Sequence, residues 1–380
     1  MRNFERANSI AEFRALARKM LPRMVFDFID GGSGSEATLL ENRTALDRIR
    51  LVPSAPIDVS TRTQSVNLFG KSYSMPLIIG PTGLAAITWP KAELLLAAAA
   101  GQAGIPYVMS TAASARMEDV ASAGSGSKWF QLYPFRDRAI TQNILRRADD
   151  LGFDVVEITV DNPIPGTRLR DNRNGFSVPF VWTLPKLASV AAHPGWAMKM
   201  LKAGAPRMEL VSEAFGQQEA PTIAAVLQQQ LDPAISWDYI KTLRDLWPRA
   251  LVVKGMLDPS QVRHAISAGV DGIVISNHGG RQLDGAVSSI EMLPEFVAES
   301  GGRLTLLIDS GFRTGTDIAK ALAMGAHAVQ IGRPTLFASA TGGQPAIERA
   351  LSLLRNELDI AQALMGVRSM SEFTPRMVRL

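Results

Sequence analysis

Residues 276–284 place side chains that could move a proton and bind an anion in one short run of the chain. The run reads Ser-Asn-His-Gly-Gly-Arg-Gln-Leu-Asp, with His278 three residues before Arg281. An imidazole exchanges a proton near neutral pH, and a guanidinium fork can hold a carboxylate through two parallel hydrogen bonds. Asp161 could orient and stabilise the imidazole, as a carboxylate does for a general base. This pattern indicates base catalysis on an anionic substrate.

Two glycine–arginine pairs late in the chain predict a phosphate site. Gly311 precedes Arg313 by two residues, and Gly332 directly precedes Arg333. Each pair follows a short apolar run, and glycine frees backbone N–H groups that can hold a phosphate together with a guanidinium. A ligand or cofactor that carries a phosphate is therefore expected.

A metal site is not predicted. His278, Asp284 and Asp309 could offer ligands, but the chain has no pair of histidines at ligand spacing. The remaining histidines fall on a predicted helix, at the start of a predicted strand and in a long insertion. We expect these three to be structural: His264, His327 and His193.

Eight short apolar runs must position these candidate residues. Several share one plan, in which a glycine suited to a helix C-cap precedes a β-branched run that stops at a small or polar residue. The predicted strands are 76–79, 106–110, 128–132, 155–159, 251–254, 272–275, 304–308 and 328–331. Helical apolar spacing precedes three of them, over 137–150, 259–268 and 316–324.

This alternation predicts an α/β protein with a (β/α)8 TIM barrel. Continuous Val/Ile/Leu runs suit parallel strands that are buried on both faces, and eight such units match the barrel. A doubly wound open sheet is the alternative, but no Gly-x-Gly-x-x-Gly follows an early strand to support a dinucleotide site. Since catalytic groups of barrels follow the strands, the polar residues after each run are expected to meet at one rim.

The predicted organisation is a helical cap over residues 1–75, a barrel over 76–370 and a tail over 371–380. The connection after the fourth strand is far longer than usual, with an insertion of about 172–236. Between 174 and 208 it has no acidic residue. It carries basic and aromatic side chains, namely Lys186, Lys199, Lys202, Arg207, Phe176, Phe180, Trp182 and Trp196. Such interleaving suits an anionic membrane surface, and an active-site loop packed on the barrel is the alternative.

The composition excludes several classes of protein. The 380 residues contain no cysteine, which rules out a disulfide-stapled module and a cysteine-based zinc site. A net charge of +4 is too small to indicate a nucleic-acid partner. The N-terminus lacks an apolar signal-peptide region, so a cytoplasmic protein is expected. The uncharged stretch 94–115 contains glycines and a proline and predicts a buried helix, a turn and a strand rather than a membrane span.

With these residues assembled, the chain resembles the FMN-dependent L-2-hydroxy-acid oxidising family, which includes glycolate oxidase and L-lactate dehydrogenase. The resemblance runs from Leu21 to about residue 370. Its most specific motifs are Ser-Asn-His-Gly-Gly-Arg-Gln-Leu-Asp at 276–284, Trp-Phe-Gln-Leu-Tyr at 129–133, Val-Lys-Gly at 253–255 and Asp-Ser-Gly-Phe-Arg-Thr-Gly at 309–315. Gly-Pro-Thr-Gly-Leu at 80–84 and the insertion look most like the branch that contains (S)-mandelate dehydrogenase.

The resemblance implies a role for each matching residue. His278 would be the base, with Asp161 as its partner; Arg281 and Arg168 would bind the substrate carboxylate, and Tyr133 would hydrogen-bond the substrate. Lys254 would stabilise reduced FMN. The further residues implied in FMN binding are Pro81, Thr82, Gly83, Ser110, Gln131, Thr159 and Ser276, with Asp309, Gly311, Arg313, Gly332 and Arg333 at the ribityl phosphate.

One position departs from the family pattern. Many members carry a substrate-binding tyrosine in the N-terminal segment, and the matching residue here is Phe26, which has no hydroxyl. We expect Phe26 to form an apolar wall that suits an aromatic or alkyl 2-hydroxy acid better than glycolate.

The expected reaction is oxidation of an L-(S)-2-hydroxy acid, mandelate-like or lactate-like, to the 2-keto acid. His278 would remove either the C2 proton, giving a carbanion, or the hydroxyl proton while a hydride moves to the flavin. Gly83 would leave open space near the flavin and, with the insertion, favours a dehydrogenase that reduces a quinone at the inner face of the membrane. The resemblance also implies a homotetramer.

Other activities stay open at this point. The first is an oxidase that uses O2 and makes hydrogen peroxide. The second is a flavin-free barrel enzyme for phosphate ligands, in which Lys254 would form a Schiff base. The third is a membrane-bound binding protein without catalysis. Such a protein would not need a histidine, an aspartate and an arginine together at one rim.

Overall fold

The computed structural model describes residues 3–175, 182–216 and 229–379. Within these residues eight parallel strands close into a barrel with helices around it, which confirms the (β/α)8 prediction and excludes the open sheet. The strands are β1 (Leu77–Ile79), β2 (Tyr107–Ser110), β3 (Lys128–Leu132), β4 (Val155–Thr159), β5 (Ala250–Met256), β6 (Gly272–Ile275), β7 (Thr305–Ile308) and β8 (Ala328–Ile331). Strand β8 pairs with β1 and closes the ring.

The inward-facing residues of the strands form two layers of opposite character. Because strand side chains alternate between faces, residues two apart point to the same side. The lower layer is wholly apolar and consists of Ile78, Val108, Trp129, Val155, Val252, Val274, Leu307 and Ala328. Two residues further along the same strands come the residues of the upper layer, which is mostly polar: Gly80, Ser110, Gln131, Glu157, Lys254, Ser276, Asp309 and Gln330. Of these two inward-facing layers, only the one toward the carboxyl end of the barrel therefore carries polar groups.

Helices follow most of the strands on the outside of the barrel. The helices of the barrel are α4 (Ala92–Ala103), α5 (Met117–Ser122), α6 (Arg138–Asp150), α11 (Trp237–Leu246), α12 (Val262–Ser267), α13 (Ser289–Ser300), α14 (Gly315–Ala323), α15 (Arg333–Gly342) and α16 (Gln344–Leu364). The uncharged stretch 94–115 forms helix α4, a turn at Gly104 with φ +67° and strand β2, as predicted.

The N-terminal region is only partly helical. Helices α1 (Ile10–Met20), α2 (Arg23–Asp30) and α3 (Ala37–Arg48) form the cap, whereas the prediction of helix up to residue 75 was wrong. Val66–Leu68 and Lys71–Tyr73 form a hairpin instead, because Gly70 with φ +79° allows the tight turn. Phe69 at its tip contacts Trp129 edge to face at 5.5 Å, so the hairpin closes the amino end of the barrel.

The insertion after β4 contains helices α7 (Leu169–Arg173), α8 (Leu184–Ala191), α9 (Pro194–Ala203) and α10 (Glu209–Phe215). The nitrogen Nε1 of Trp196 donates to the carbonyl of Ile87, and the Lys199 ammonium lies 3.4 Å from the centre of the Trp89 ring. These two contacts hold α9 against the barrel mouth. No helix in the described ranges is long and apolar enough to cross a membrane.

Candidate active site

A cavity of about 1500 Å³ opens at the carboxyl ends of the strands. The cap covers one side of it and the insertion covers another. Sixteen of the nineteen predicted site residues line it: Pro81, Thr82, Gly83, Ser110, Gln131, Tyr133, Thr159, Arg168, Lys254, His278, Arg281, Asp309, Gly311, Arg313, Gly332 and Arg333. Asp161 and Ser276 lie directly behind these residues, where they hydrogen-bond His278 and Lys254.

His278 is held at both ring nitrogens. Its Nδ1 lies 3.0 Å from Asp161 Oδ1, and its Nε2 lies 3.4 Å from the Tyr133 hydroxyl. The backbone N–H of His278 donates to Ser276 Oγ at 3.0 Å, and a φ of +57° turns the side chain out of the strand direction. Asp161 thus fixes the tautomer and leaves Nε2 to accept a proton.

Burial raises the pKa of the Tyr133 hydroxyl to about 12, with the negative charge of Asp161 as a second cause. Tyr133 therefore remains a neutral donor at ordinary pH. Its hydroxyl lies beside Nε2, the nitrogen that would receive the substrate proton, so it can hydrogen-bond the substrate next to the base.

Gly255 makes the approach of Asp161 possible. The strand β5 is irregular between Lys254 and Met256, and Gly255 has a φ of +101°. A Cβ atom on Gly255 would lie 2.5 Å from Cγ of Asp161. This glycine, which the Val-Lys-Gly motif contains, is needed for the position of the carboxylate.

We expect Gly255→Ala to lower kcat about 10²-fold, because displacing Asp161 misplaces the base. Strain at the positive φ adds a loss of about 1–3 kcal/mol in the free energy of unfolding. Gly152→Ala is the matched control, since Gly152 has a φ of +75° and its Cβ would meet nothing within 4 Å. Steady-state kinetics and denaturant unfolding check both variants, and equal kcat values for them would contradict the role of Gly255.

Four arginines give the cavity a strong positive charge. Burial and repulsion from neighbouring guanidiniums lower the pKa of Arg313 to about 9 and the pKa of Arg333 to about 10. The same two causes hold the pKa of Arg281 well below its usual range, and Arg168 Nε is buried without a hydrogen-bond partner in the described structure. Buried cations that repel one another are stabilised by bound anions.

The arginines come from different parts of the chain. Arg313 and Arg333 accompany Gly311 and Gly332 after β7 and β8, where barrels commonly bind phosphate. Gly332 is also the N-cap of α15, so backbone N–H groups of that helix point to the same place. Arg281 donates from Nη1 to the carbonyls of Phe28 and Gly31, both at 2.8 Å, and Arg333 Nη2 donates to the same Gly31 carbonyl at 2.8 Å.

Lys254 stays charged although it is buried. Burial alone would lower the pKa of its ammonium, but Asp309 and Asp161 reverse the effect and raise it. Lys254 forms an ion pair with Asp309 and donates to Ser276 Oγ at 2.8 Å. A Schiff-base lysine needs a neutral amine, so this environment argues against the flavin-free alternative.

The polar layer around Lys254 fits the edge of a flavin. Ser110 Oγ donates to Gln131 Oε1 at 3.0 Å, and Gln131 Nε2 donates to Thr159 Oγ1 at 3.0 Å. Thr82 Oγ1 is buried with no partner among the described residues. Donors, acceptors and a cation thus line one part of the cavity, and the glycines predicted to bind a phosphate line another. FMN requires both kinds of group.

Phe26 does not take the predicted position in the cavity wall. Its ring is 4% exposed and stacks on Phe337 at 6.3 Å, with the Arg14 guanidinium over it. Another residue of α2, Phe28, lines the cavity instead. The centre of its ring lies 5.2 Å from the guanidinium carbon of Arg281. The partner of Phe26 is thus Phe337, which is more than 300 residues distant in the sequence.

Sequence reasoning missed several residues that brace the site. Asn277 and Asn42 exchange hydrogen bonds of 2.9 and 2.6 Å, which ties the His278 loop to helix α3 of the cap. Gln282 Nε2 donates to the Asp161 carbonyl at 3.0 Å. Since each partner is more than 100 residues distant, no local pattern reveals these pairs.

The remaining polar candidates have structural contacts. Asp284 accepts hydrogen bonds from the backbone N–H groups of Ser35 and Thr38 at the start of α3. His264 stacks on Trp237, and His327 Nδ1 accepts from the backbone of Leu306; His193 bonds the Ser189 carbonyl. Within the described ranges no group of three or more acidic or histidine side chains could hold a metal ion.

A closed parallel barrel with a phosphate cradle, a buried cation and a His–Asp pair at its mouth defines a class of enzyme. The class comprises barrel enzymes whose mouth can hold a phosphate-bearing cofactor and an anionic substrate.

Comparison with known proteins narrows this class to one family. Residues 17–380 match the family described as FMN-dependent dehydrogenase. (S)-Mandelate dehydrogenase from Pseudomonas putida is 39% identical over 368 residues, covering 97% of this chain and 92% of that protein. 4-Hydroxymandelate oxidase from Amycolatopsis orientalis is 40% identical over 362 residues, or 95% of each chain. The crystal structure of the monotopic membrane protein (S)-mandelate dehydrogenase is similar with a TM-score of 0.95, 38% identity and coverage of 98% and 99%.

The chain belongs to the FMN-dependent dehydrogenase family, and its cofactor is FMN. The resemblance and the cofactor that the sequence predicts are thereby confirmed, as is the assignment to the oxidoreductases.

Proposed function

We propose that the protein oxidises an L-(S)-2-hydroxy acid to the 2-keto acid. The observation that carries this proposal is the convergence of His278, Tyr133 and Arg281 on the cavity that the polar layer suited to FMN also lines. When bound, FMN supplies a two-electron acceptor. The protein must then bind a carboxylate, take one proton and hold the cofactor.

The residues divide this work among themselves. Arg281 and Arg168 bind the substrate carboxylate, and the neutral Tyr133 hydroxyl donates a hydrogen bond to the substrate. His278 Nε2 receives the proton from C2 or from the hydroxyl, and Asp161 stabilises the imidazolium that results. The Lys254 ammonium, kept charged by Asp309, stabilises negative charge on the cofactor.

The phosphate of FMN would lie against Gly311, Arg313, Gly332 and Arg333, which line the cavity. The carboxylate of Asp309 would repel a phosphate and already pairs with Lys254, so it suits a ribityl hydroxyl instead. This division modifies the sequence prediction, which grouped Asp309 with the phosphate ligands.

Apolar cavity walls support a substrate with an aromatic or alkyl side chain. The cap contributes Met24, Val25 and Phe28, and the insertion contributes Leu187 and Met200. Burying a phenyl group among such residues is favourable by the area it removes from water. A mandelate-like acid is thus the first candidate, with a lactate-like acid second and glycolate last.

A membrane quinone is the proposed electron acceptor, and the protein would lie peripherally on the inner face of the cytoplasmic membrane. Support comes from the large side chains that α8 and α9 expose, with Leu184 81% and Leu201 85% exposed. Two of the predicted basic residues, Lys186 and Lys199, instead bind the Gly175 carbonyl and the Trp89 ring. Phe176 and Phe180 lie outside the described residues.

A homotetramer remains a prediction from the resemblance.

We expect Leu184→Glu/Leu201→Glu to abolish sedimentation with anionic vesicles, because the contact would be chiefly apolar. For the same reason the binding of the unmodified protein should weaken little when salt is raised. Leu364→Glu, at a position 68% exposed on α16, is the control and should still sediment. Sedimentation with vesicles measures the bound fraction of all three proteins. Equal binding of the double variant and the unmodified protein would show that the insertion does not bind the membrane.

An oxidase is the second candidate function, and the identity to 4-hydroxymandelate oxidase favours it. The space next to Gly83 gives less support to a dehydrogenase than the sequence suggested. A Cβ atom there would lie 2.8 Å from Cβ of Ala112, so that space is already filled by protein.

Anaerobic titration of the purified protein with mandelate, lactate and glycolate tests the substrate class. Mandelate should bleach the flavin fastest. Mixing the reduced protein with a quinone or with oxygen then separates the two acceptors, since an oxidase is reoxidised rapidly by oxygen and a dehydrogenase mainly by the quinone.

A further inference from the structure

Glu157 and Gln330 form a buried polar pair across the barrel axis. Strands β4 and β8 stand opposite each other in the eight-stranded ring, and Gln330 Nε2 donates to Glu157 Oε1. Glu157 is 0% exposed and Gln330 is 2% exposed. The pair lies above the apolar lower layer, and Glu157 is two residues before Thr159 of the cavity wall on the same inward face. The roles described above use neither side chain.

The pair lacks one hydrogen-bond donor. In the described structure both Glu157 Oε2 and Gln330 Oε1 are buried without a partner. An ionised carboxylate only accepts, whereas a protonated one also donates. One added proton would therefore supply the missing donor, and leaving a buried acceptor without one is unfavourable.

Charges around the pair link it to the cofactor site. Lys254 from β5 attracts the ionised form of Glu157, and Asp309 from the end of β7 repels it. Gln330 from β8 and Gln131, the neighbour of Glu157 on β3, are neutral. Burial, the largest cause, raises the pKa of the Glu157 carboxyl to about 7, so the group titrates at neutral pH.

We propose that Glu157 is a proton-holding residue that takes up a proton when the cofactor beside Lys254 is reduced. Negative charge on the cofactor competes for the same ammonium that stabilises the ionised carboxylate. The reduction consumes two electrons and one proton at the flavin, and a second proton from solvent converts the Glu157 carboxylate to the neutral acid. The added charge is thus neutralised within the barrel. This inference rests on the proposed function, because it requires bound FMN.

The sign of the pH dependence follows from these charges. At a pH below its pKa, Glu157 is already protonated in the oxidised protein and takes up no further proton when the cofactor is reduced. Above about pH 7 it is ionised in the oxidised protein and becomes protonated on reduction, up to the higher pKa of the reduced state. For a two-electron couple one proton gives about 30 mV per pH unit and two protons give about twice that.

The test is the midpoint potential of bound FMN, measured by spectroelectrochemistry from about pH 6 to about pH 9. The unmodified protein should show the steeper slope above neutral pH, and Glu157→Gln should show the shallow slope throughout. Glu93→Gln is the matched control: Glu93 is equally buried, with a pKa raised by burial, but it accepts from the backbone of Ser114 outside the barrel. It should behave like the unmodified protein.

Equal slopes for the unmodified protein and Glu157→Gln would overturn the proposal. If Glu157→Gln does not fold, the reduced-minus-oxidised infrared spectrum of the unmodified protein decides: a new band of a protonated carboxyl above neutral pH supports the proposal, and its absence overturns it. Because electrodes reduce the flavin without substrate, failure here leaves the proposed oxidation untouched. Failure to bind FMN would instead contradict the proposed function.

Discussion

Replacing His278 by glutamine should slow reduction of the flavin by substrate about 10²–10⁴-fold or more, the contribution of a positioned general base. Glutamine cannot accept the substrate proton, although it can still hydrogen-bond Tyr133 across the present 3.4 Å distance. FMN binding should persist, because the phosphate cradle after β7 and β8 is unchanged. Anaerobic stopped-flow measurement of flavin bleaching gives the rate directly.

His264→Gln is the control for that variant. His264 stacks on Trp237 outside the cavity, with ring centres 6.2 Å apart, so its replacement should leave the reduction rate within a small factor. If His278→Gln and His264→Gln reduced the flavin equally fast, His278 would have no part in the chemistry.

Arg281→Met should produce the second large effect, on substrate binding. Truncating one partner of a buried, hydrogen-bonded charge pair costs about 2–5 kcal/mol, which is roughly 30-fold or more in kcat/KM. Arg281→Lys should fall between Arg281→Met and the unmodified protein, because an ammonium keeps the charge but not the planar fork.

The binding of a 2-keto acid, followed through the flavin spectrum, isolates this effect from catalysis. Arg263→Met is the control, since Arg263 pairs with Glu299 on the surface and is 77% exposed; such pairs contribute little. If Arg281→Met bound the 2-keto acid with unchanged affinity, the carboxylate would have to be bound by Arg168, and the role given to Arg281 would be wrong.

The barrel and most of its rim could be predicted because both depend on local sequence. Short β-branched runs after C-cap glycines predict the strands, and the residues at and shortly after the end of each run must lie at the carboxyl end of a parallel barrel. Lys254, His278 and Arg313 follow that rule. Their side chains thus reach the cavity whatever the details of packing.

Positions that depend on distant packing could not be predicted in the same way. Phe26 is buried where its ring stacks on Phe337. Lys186 is buried where its ammonium donates a hydrogen bond to the Gly175 carbonyl. Glu157 was missed as well. Alternation along β4 places it inside the barrel, but nothing local in the sequence shows that it pairs with Gln330 on the opposite strand.

Visible spectra of the purified, FMN-loaded protein before and after anaerobic addition of (S)-mandelate test the central claim most directly. If the barrel mouth holds FMN against a base and two carboxylate-binding arginines, the yellow colour bleaches within the mixing experiment and one equivalent of 2-keto acid forms per flavin. A protein that stays colourless in the presence of FMN, or that binds FMN and is bleached by no 2-hydroxy acid, would contradict the account.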